Sequence, residues 1–385
     1  MADYAKLPAG ATLDIKPFEA RVDDEKLQHF KNLLELSPIA PAVFENTNAG
    51  RKYGMKRVWL ENAKKVWLNE FDWRKHEDRI NSFPNFKASV KDTEGNMIQM
   101  QFLALFSEKV DAIPIAFFHG WPGSICEFLD MLDILKERYS PEDLPYHVIV
   151  PSPPGYAFSS GFGSGYLAQG GDLGSFMSRL LVMNYDACKG MHVNMMGMPP
   201  LESSDAIPRD DEEKRALQRA TEFIDTAYAF ALEQGTRPAT IGLTLSASPL
   251  ALLSWIGEKI LEWTDEDPPL DKILEGVTLY WLTDTVPRCF YHNRALANAD
   301  DKPKIARISV ITKRTALNLP HVEKPCGYSM FAHEIIPIPK RWAALTCNLV
   351  SFNQPERVGH FAAMEKPNEL LTDVGEYIKK AWKAI

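Results

Sequence analysis

The sequence predicts an α/β protein with a mostly parallel sheet, flanking helices, a helical cap and an N-terminal extension. Short apolar runs recur from about residue 97, and turn residues follow most of them, which is typical of strands buried on both faces. Between residues 198 and 300 the apolar pattern has the helical period instead. The first 96 residues hold two amphipathic stretches and a segment rich in aromatic residues.

These patterns divide the chain into four parts. We predict an N-terminal extension over residues 1–96, the first part of the α/β core over 97–197, the cap over 198–300 and the second part of the core over 301–385. Strands are expected at 100–106, 113–118, 147–151, 166–168, 192–196, 308–312 and 345–352. Helices are expected at 25–36, 58–70, 176–181, 216–233, 251–262 and 368–382.

Composition excludes several classes of protein. The chain of 385 residues has 43 Lys and Arg against 51 Asp and Glu, and it lacks the basic block that a nucleic-acid partner requires. No apolar run reaches the ~18 residues of a membrane span, and the first residues lack the features of a secretory signal. The five cysteines are scattered, which argues against a zinc site or disulfide framework. We therefore expect a cytoplasmic protein without a metal.

The strongest local motif surrounds Asp172. Gly170-x-Asp172-x-Gly174 follows a predicted strand and precedes a helical run, which is the form of a nucleophile elbow. A carboxylate at the tip attacks an alkyl carbon and leaves an ester, which water must then hydrolyse. The alternative is a glycine-rich turn in which Asp172 caps a helix.

A second motif, His119-Gly120-Trp121-Pro122, follows the strand predicted at 113–118. Such a turn directs a backbone N–H group into a site, so we expect the N–H groups of Trp121 and Leu173 to form an oxyanion hole. The alternative is an ordinary turn around a buried aromatic residue. The presence of both motifs on successive strands favours the oxyanion hole.

Hydrolysis of an ester also needs a base. His360 lies in the loop after the strand predicted at 345–352, and Glu334 is the acid expected to hold it. The order Asp172, Glu334, His360 is that of nucleophile, acid and base in α/β-hydrolases. Sequence proximity leaves three rivals for these roles: His333, Glu356 and Glu365.

The chain resembles the fungal and microsomal-type epoxide hydrolases of the α/β-hydrolase fold over nearly its whole length. The resemblance implies Asp172 as nucleophile, His360 as base and Glu334 as its partner. It also implies a small-molecule epoxide as substrate, a vicinal diol as product, no cofactor because water is the second substrate, and a homodimer as a common assembly. The matching motifs are His119-Gly120-Trp121-Pro122-Gly123-Ser124, Pro153-Pro154-Gly155-Tyr156-Ala157-Phe158-Ser159, Gly170-Gly171-Asp172, Thr236-Arg237-Pro238, Tyr280-Trp281 and Gly359-His360-Phe361-Ala362.

The sequence departs from this family at two proton donors. Family members use two cap tyrosines to bind and protonate the epoxide oxygen, and the matching positions here are Phe230 and Asn293. Tyr228 and Tyr291 each lie two positions away, which on a helix is the opposite face. The residues that remain as candidate donors are Tyr228, Tyr291 and Asn293. Without a general acid, the ring-opening step is slower by about 10²–10⁴-fold.

A second departure is a missing helix. Residues 152–165 connect two strands that should be parallel, yet they are too rich in glycine and proline to form the usual crossover helix. We expect the sheet to be uncovered there or the sequence to lack residues. The second case predicts a chain break between Ser159 and Gly163.

Epoxide hydrolysis is the best interpretation of the whole sequence. One alternative is a catalytically altered relative that handles a biosynthetic intermediate, which Phe230 and Asn293 favour. A dehalogenase is less favoured, because Leu173 stands where dehalogenases usually carry a halide-binding tryptophan. Asp172 excludes a serine esterase.

Overall fold

The computed structural model describes residues 3–8, 14–48, 50–91, 97–153, 166–196, 208, 210–290, 292–293 and 320–382. A nine-stranded sheet runs through this part of the chain in the order β1-β2-β3-β5-β4-β6-β7-β8-β9. The strands are β1 Ile15–Pro17, β2 Asn85–Lys91, β3 Met97–Leu105, β4 Ile113–Phe118, β5 Tyr146–Pro151, β6 Tyr166–Gly170, β7 Cys188–Val193, β8 Val322–Ser329 and β9 Cys347–Asn353.

Most of the sheet is parallel, as predicted. From β5 through β4 to β9 every neighbouring pair is parallel, whereas β1, β2 and β3 pair antiparallel with one another and β3 pairs antiparallel with β5. The strand predicted at 192–196 is observed earlier, as β7, and β8 was not predicted at all. The strand predicted at 308–312 lies outside the described residues.

The longer helices are α1 Asp24–Leu36, α3 Arg57–Asn69, α4 Trp73–Asn81, α5 Leu129–Arg138, α6 Asp172–Asn184, α7 Asp211–Thr226, α8 Ala229–Thr236, α9 Pro238–Ser246, α10 Pro249–Trp263, α11 Leu270–Leu282 and α14 Pro367–Ala381. The described residues also form three single α-helical turns, α2 Phe44–Thr47, α12 Lys340–Ala343 and α13 Ala362–Glu365, and two 3₁₀ turns, Ile125–Phe128 and Val286–Arg288. No single described helix has the length and apolar composition to cross a membrane, and only α9 and α10 taken together, bent by 118°, meet those criteria.

The N-terminal helices pack against the cap helices α10 and α11. The indole N–H of Trp67 on α3 donates to the hydroxyl of Thr278 on α11 at 2.9 Å. His76 on α4 hydrogen-bonds Glu275 on the same cap helix, also at 2.9 Å. The N-terminal extension therefore supports the cap while its strands extend the sheet.

The two faces of the sheet are covered differently. On one face, α5 and α14 join a large continuous apolar cluster. On the face that carries α6, the described apolar side chains form two clusters, one around β6–β9 and one formed by Phe86, Ala88, Phe102, Ala104 and Phe106. The predicted chain break between Ser159 and Gly163 lies outside the described residues, which omit 154–165.

The predicted exposure of the sheet is not observed at Ala168 on β6 or at Ala116 on the neighbouring β4, which are 0% and 3% exposed. Ile149 on β5, between the two clusters, is half-buried. The side chains of Ala116 and Ala168 are therefore removed from water, whereas Ile149 keeps part of its surface exposed.

Gly174 allows α6 to approach the sheet closely. A Cβ atom at this position would lie 2.2 Å from the carbonyl oxygen of Phe118, a backbone atom that cannot rotate away. We expect Gly174→Ala to lower the free energy of unfolding by about 3 kcal/mol, as overpacking does in a tight core. Urea denaturation measures this change.

Gly276→Ala is the matched control, because no atom lies within 4 Å of a Cβ atom at that position in the middle of α11. Its free energy of unfolding should rise by about 0.5–1 kcal/mol, since alanine favours a helix interior over glycine. Equal effects of the two substitutions would contradict the close approach at Gly174.

Candidate active site

Asp172 stands at a sharp turn between β6 and α6. Its φ of 47° lies in the left-handed region, which a residue with a side chain adopts only where the surroundings impose it. Gly171 precedes it, and a Cβ atom there would lie 2.6 Å from the side-chain amide of Asn194. The turn thus presents the Asp172 carboxylate beyond the end of the strand, with 23% of its side chain exposed.

The turn after β4 lies directly against this carboxylate. The backbone N–H of Trp121 donates to Asp172 Oδ1 at 2.8 Å. Gly120 makes this approach feasible, because a Cβ atom there would lie 2.3 Å from Asp172 Cβ. Leu173, the other predicted donor, is the second residue of α6, where a backbone N–H has no partner within its own helix.

His360 and Glu334 lie next to Asp172. The Nδ1 atom of His360 is 2.5 Å from Glu334 Oε1, and its Nε2 atom is 3.8 Å from Asp172 Oδ2. Glu334 is fully buried, and the same oxygen accepts the backbone N–H of Ile335 at 2.7 Å. One ring nitrogen of His360 is thereby held by a carboxylate, and the other faces the candidate nucleophile.

The environment of His360 favours its charged form. Burial by itself lowers the pKa of His360, but the charge and hydrogen bond of Glu334, together with the charge of Asp172, outweigh it and raise the pKa to about 9. At neutral pH the imidazole is therefore protonated. Any change that neutralises Asp172 removes one of the charges that hold this proton.

The loop that carries His360 is held by its own backbone. The N–H of His360 donates to the carbonyl of Trp263 at 2.9 Å. Glu365 accepts the N–H groups of Gly359 and Phe361, both at 3.1 Å. Of the three predicted rivals, Glu365 therefore positions this loop.

The other two rivals lie elsewhere. The ring of His333 pairs with Asp265 at 3.0 Å, and Glu356 is exposed. Among the described candidates, the carboxylate that contacts the His360 ring is that of Glu334.

An aromatic wall faces the site from the cap. The ring of Phe230 stacks on Trp121 with centroids 5.2 Å apart and planes inclined by 12°, and it also lies 5.2 Å from the ring of Trp263. Trp263 in turn contacts His360 edge-on at 5.2 Å. Phe230 therefore lies on the side of the cap that faces the candidate nucleophile, at the position that the resemblance matched to a cap tyrosine.

The candidate donors have different surroundings. The helix predicted at 216–233 breaks at Ala227, so Tyr228 precedes α8 instead of lying inside a continuous helix. Its ring meets that of Phe230 edge-on at 6.1 Å, so the prediction that the two side chains point to opposite faces is wrong. Asn293 is buried and donates to Gln234 at 2.8 Å. Tyr291 lies outside the described residues.

Two further residues near the site were missed from the sequence. Glu127 lines the same cavity as Asp172 and His360. The sequence marks Glu127 only through the pattern Ser124-x-x-Glu127, which is typical of a helix-capping box. His292 is close enough for the charge of Asp172 to act on its ring, although burial dominates and lowers its pKa. No motif marks His292.

The pairing of Glu334 with His360 predicts a measurable pKa change. We expect Glu334→Gln to lower the pKa of His360 well below about 9, because burial then acts with only the charges of Asp172 and Glu127 to oppose it. Titration of the His360 ring by NMR measures this shift. Glu356→Gln, which removes an exposed carboxylate from the neighbouring segment, is the control and should leave the pKa unchanged. An unchanged pKa in Glu334→Gln would contradict the assigned pair.

Comparison with known proteins identifies the relatives of this chain. Residues 15–128 match the family model for the epoxide hydrolase N terminus. A protein from Dothistroma septosporum, whose name assigns it provisionally as an epoxide hydrolase, is 44% identical over 409 residues that span 99% of this chain and 94% of that protein. The chain belongs to the epoxide hydrolase family. Its members are hydrolases that act on ether bonds.

Solved structures agree with this family and with the α/β-hydrolase fold. The structure of Aspergillus niger epoxide hydrolase superposes with a TM-score of 0.86 at 41% identity, covering 99% of this chain and 100% of that one. Epoxide hydrolase 1 of Sus scrofa is 27% identical and matches 94% of this chain and 88% of that protein. The 409 residues aligned with the Dothistroma protein are 24 more than the 385 of this chain, so this epoxide hydrolase lacks positions that its relative has.

Proposed function

We propose that this protein hydrolyses an epoxide to a vicinal diol through a covalent ester of Asp172. In the first step Asp172 Oδ2 attacks an oxirane carbon, the ring C–O bond breaks, and the epoxide oxygen takes up a proton from water or from a cap donor such as Tyr228. One observation carries the proposal: the carboxylate at the tip of the turn has Oδ1 on the Trp121 N–H and Oδ2 3.8 Å from His360 Nε2. A carboxylate held in this way is oriented for nucleophilic attack.

In the second step water hydrolyses the ester. Esterification removes the charge of Asp172, which is one of the contributions that raise the pKa of His360, so the imidazole can lose its proton and act as a base. Glu334 stabilises the imidazolium that forms when His360 takes a proton from water. The backbone N–H groups of Trp121 and Leu173 stabilise the oxyanion of the tetrahedral intermediate.

The test is a panel of aryl and alkyl epoxides incubated in ¹⁸O-labelled water. We expect diol formation, with label entering the Asp172 carboxylate during a single turnover while the diol receives the unlabelled carboxylate oxygen. Label that appears in the diol during the first turnover, with none in the enzyme, would mean direct attack of water and would refute the ester.

A second candidate function is that of an altered relative that binds an epoxide and opens it slowly. Phe230 and Asn293 favour it, because neither side chain can donate a proton to the epoxide oxygen. The same panel distinguishes the two functions: saturable binding without diol formation, measured by calorimetry, would support the altered relative. A dehalogenase would instead release halide from haloalkanes, which Leu173 after the nucleophile disfavours.

We also propose that the enzyme works in the cytoplasm. The five cysteines Cys126, Cys188, Cys289, Cys326 and Cys347 are all free, and four of them are buried. Free thiols in this number suit a reducing compartment.

A further inference from the structure

A small cavity adjoins the two groups that the proposed ester hydrolysis requires. Its volume is about 30 Å³, and its walls include Asp172, His360 and Glu127 together with apolar side chains such as Phe128 and Ala363. A cavity needs about 10–15 Å³ to hold one water molecule, and the water needs polar partners. This cavity meets both conditions beside the carboxylate that would carry the ester.

The backbone holds the carboxyl group of Glu127 at this wall. Its Oε1 atom accepts the N–H of Ser124 at 3.0 Å. Gly123 leaves room for that oxygen, because a Cβ atom there would lie only 1.8 Å away from it. The carbonyl of Gly123 accepts the hydroxyl of Tyr280 at 2.8 Å, which ties the turn to the cap. In the described part of the protein Oε2 has no hydrogen bond, so it is available to a ligand.

Glu127 is electrostatically linked to both reacting groups. Burial raises the pKa of Glu127 to about 8, the Ser124 N–H and the charge of His360 oppose this, and the charge of Asp172 adds to it. Esterification of Asp172 removes that last charge. While His360 is still charged, this favours the ionised Glu127, which can only accept hydrogen bonds.

We propose that this cavity binds the water that hydrolyses the Asp172 ester and that Glu127 orients this water opposite His360. The inference rests on the proposed function. One water hydrogen donates to Glu127 Oε2 and the other to His360 Nε2, which leaves an oxygen lone pair for the ester carbon.

The chemistry balances over the cycle. The water oxygen bonds to Asp172 Cγ as His360 takes a proton, and the bond from Cγ to the substrate oxygen then breaks. His360 returns its proton to that oxygen, which gives the diol. The Asp172 acid ionises and releases the proton that ring opening consumed.

Glu127→Gln tests this role. The amide oxygen can still accept the Ser124 N–H, as glutamine does in capping boxes. The group facing the cavity is then NH₂, a donor that cannot accept the water hydrogen. We expect ester formation to stay within about twofold of wild type and ester hydrolysis to slow at least tenfold, so that the ester accumulates. Rapid quench followed by intact-protein mass spectrometry separates the two rates.

The control variant is Glu137→Gln, which removes one exposed carboxylate from α5 and should leave both rates unchanged. Ala363→Val is a second, independent test, because it adds volume at another residue that lines the cavity and should also slow ester hydrolysis. If circular dichroism shows that Glu127→Gln does not fold, the rate of ester hydrolysis in Ala363→Val tests the role of the cavity.

Wild-type rates of ester hydrolysis in the folded variants would overturn the role of the cavity and of Glu127. The proposed function would instead be contradicted if the His360→Gln protein, incubated with epoxide, gained no mass equal to that of the substrate. The two failures are therefore distinguishable.

Discussion

Asp172→Ala is expected to abolish the turnover of every epoxide that the wild-type protein hydrolyses. The substitution removes the carboxylate that would form the ester, and among the described residues no other carboxylate accepts the Trp121 N–H.

His360→Gln is expected to block the second half of the reaction, the hydrolysis of the ester. Attack by Asp172 can proceed, but water lacks its base, so the protein should gain the mass of the substrate and retain it.

Intact-protein mass spectrometry and diol analysis by chromatography measure these two outcomes. His333→Gln is a matched control, because its ring is 42% exposed and pairs with Asp265 away from the nucleophile. It should retain both the turnover and the unmodified mass of wild type. Full diol production by Asp172→Ala would exclude the ester mechanism.

Phe230→Tyr is expected to raise epoxide turnover by up to about 10²-fold, within the range that one general acid contributes. The ring of Phe230 lies against Trp121, whose N–H binds Asp172, so we expect a hydroxyl added at its tip to reach a bound epoxide. A phenol can both bind the epoxide oxygen and protonate it as the ring opens. Steady-state kinetics with one epoxide of the panel measures the change in kcat.

Phe223→Tyr is the control for this gain. The ring centroid of Phe223 is 6.5 Å from that of Phe230 and 5.8 Å from that of Trp263, but Phe223 lies on α7 and has no ring contact with Trp121 among the described residues. A hydroxyl there should leave kcat unchanged. If Phe230→Tyr has no effect while Tyr228→Phe abolishes turnover, the donor is Tyr228, whose ring already meets Phe230 edge-on.

The sequence by itself determined the features that depend on neighbouring residues. Asp172 between two glycines, after an apolar run, predicted a sharp strand–helix turn, and the structure has that turn at a φ of 47°. The turn Gly120-Trp121 was predicted in the same way. Both motifs are local, because a strand ends and a turn begins within a few residues, so short-range patterns contain the information.

Long-range pairing was decided only by the tertiary structure. β8 was not predicted, because Pro325 and Gly327 interrupt its apolar pattern, yet it pairs with β7 and β9 on both sides. Strands β1 and β2 join the same sheet through β3, which no local pattern indicates.

The partner of His360 was settled in the same way. Proximity along the chain left Glu356 and Glu365 as rivals of Glu334, and only the folded chain brings Glu334 Oε1 to 2.5 Å from the ring. The directions in which the Phe230 and Tyr228 side chains point depend on a helix break at Ala227, which helical periodicity did not reveal. Periodicity and turn residues record local backbone preference, whereas contacts between distant residues depend on how the elements pack, which a single sequence does not display.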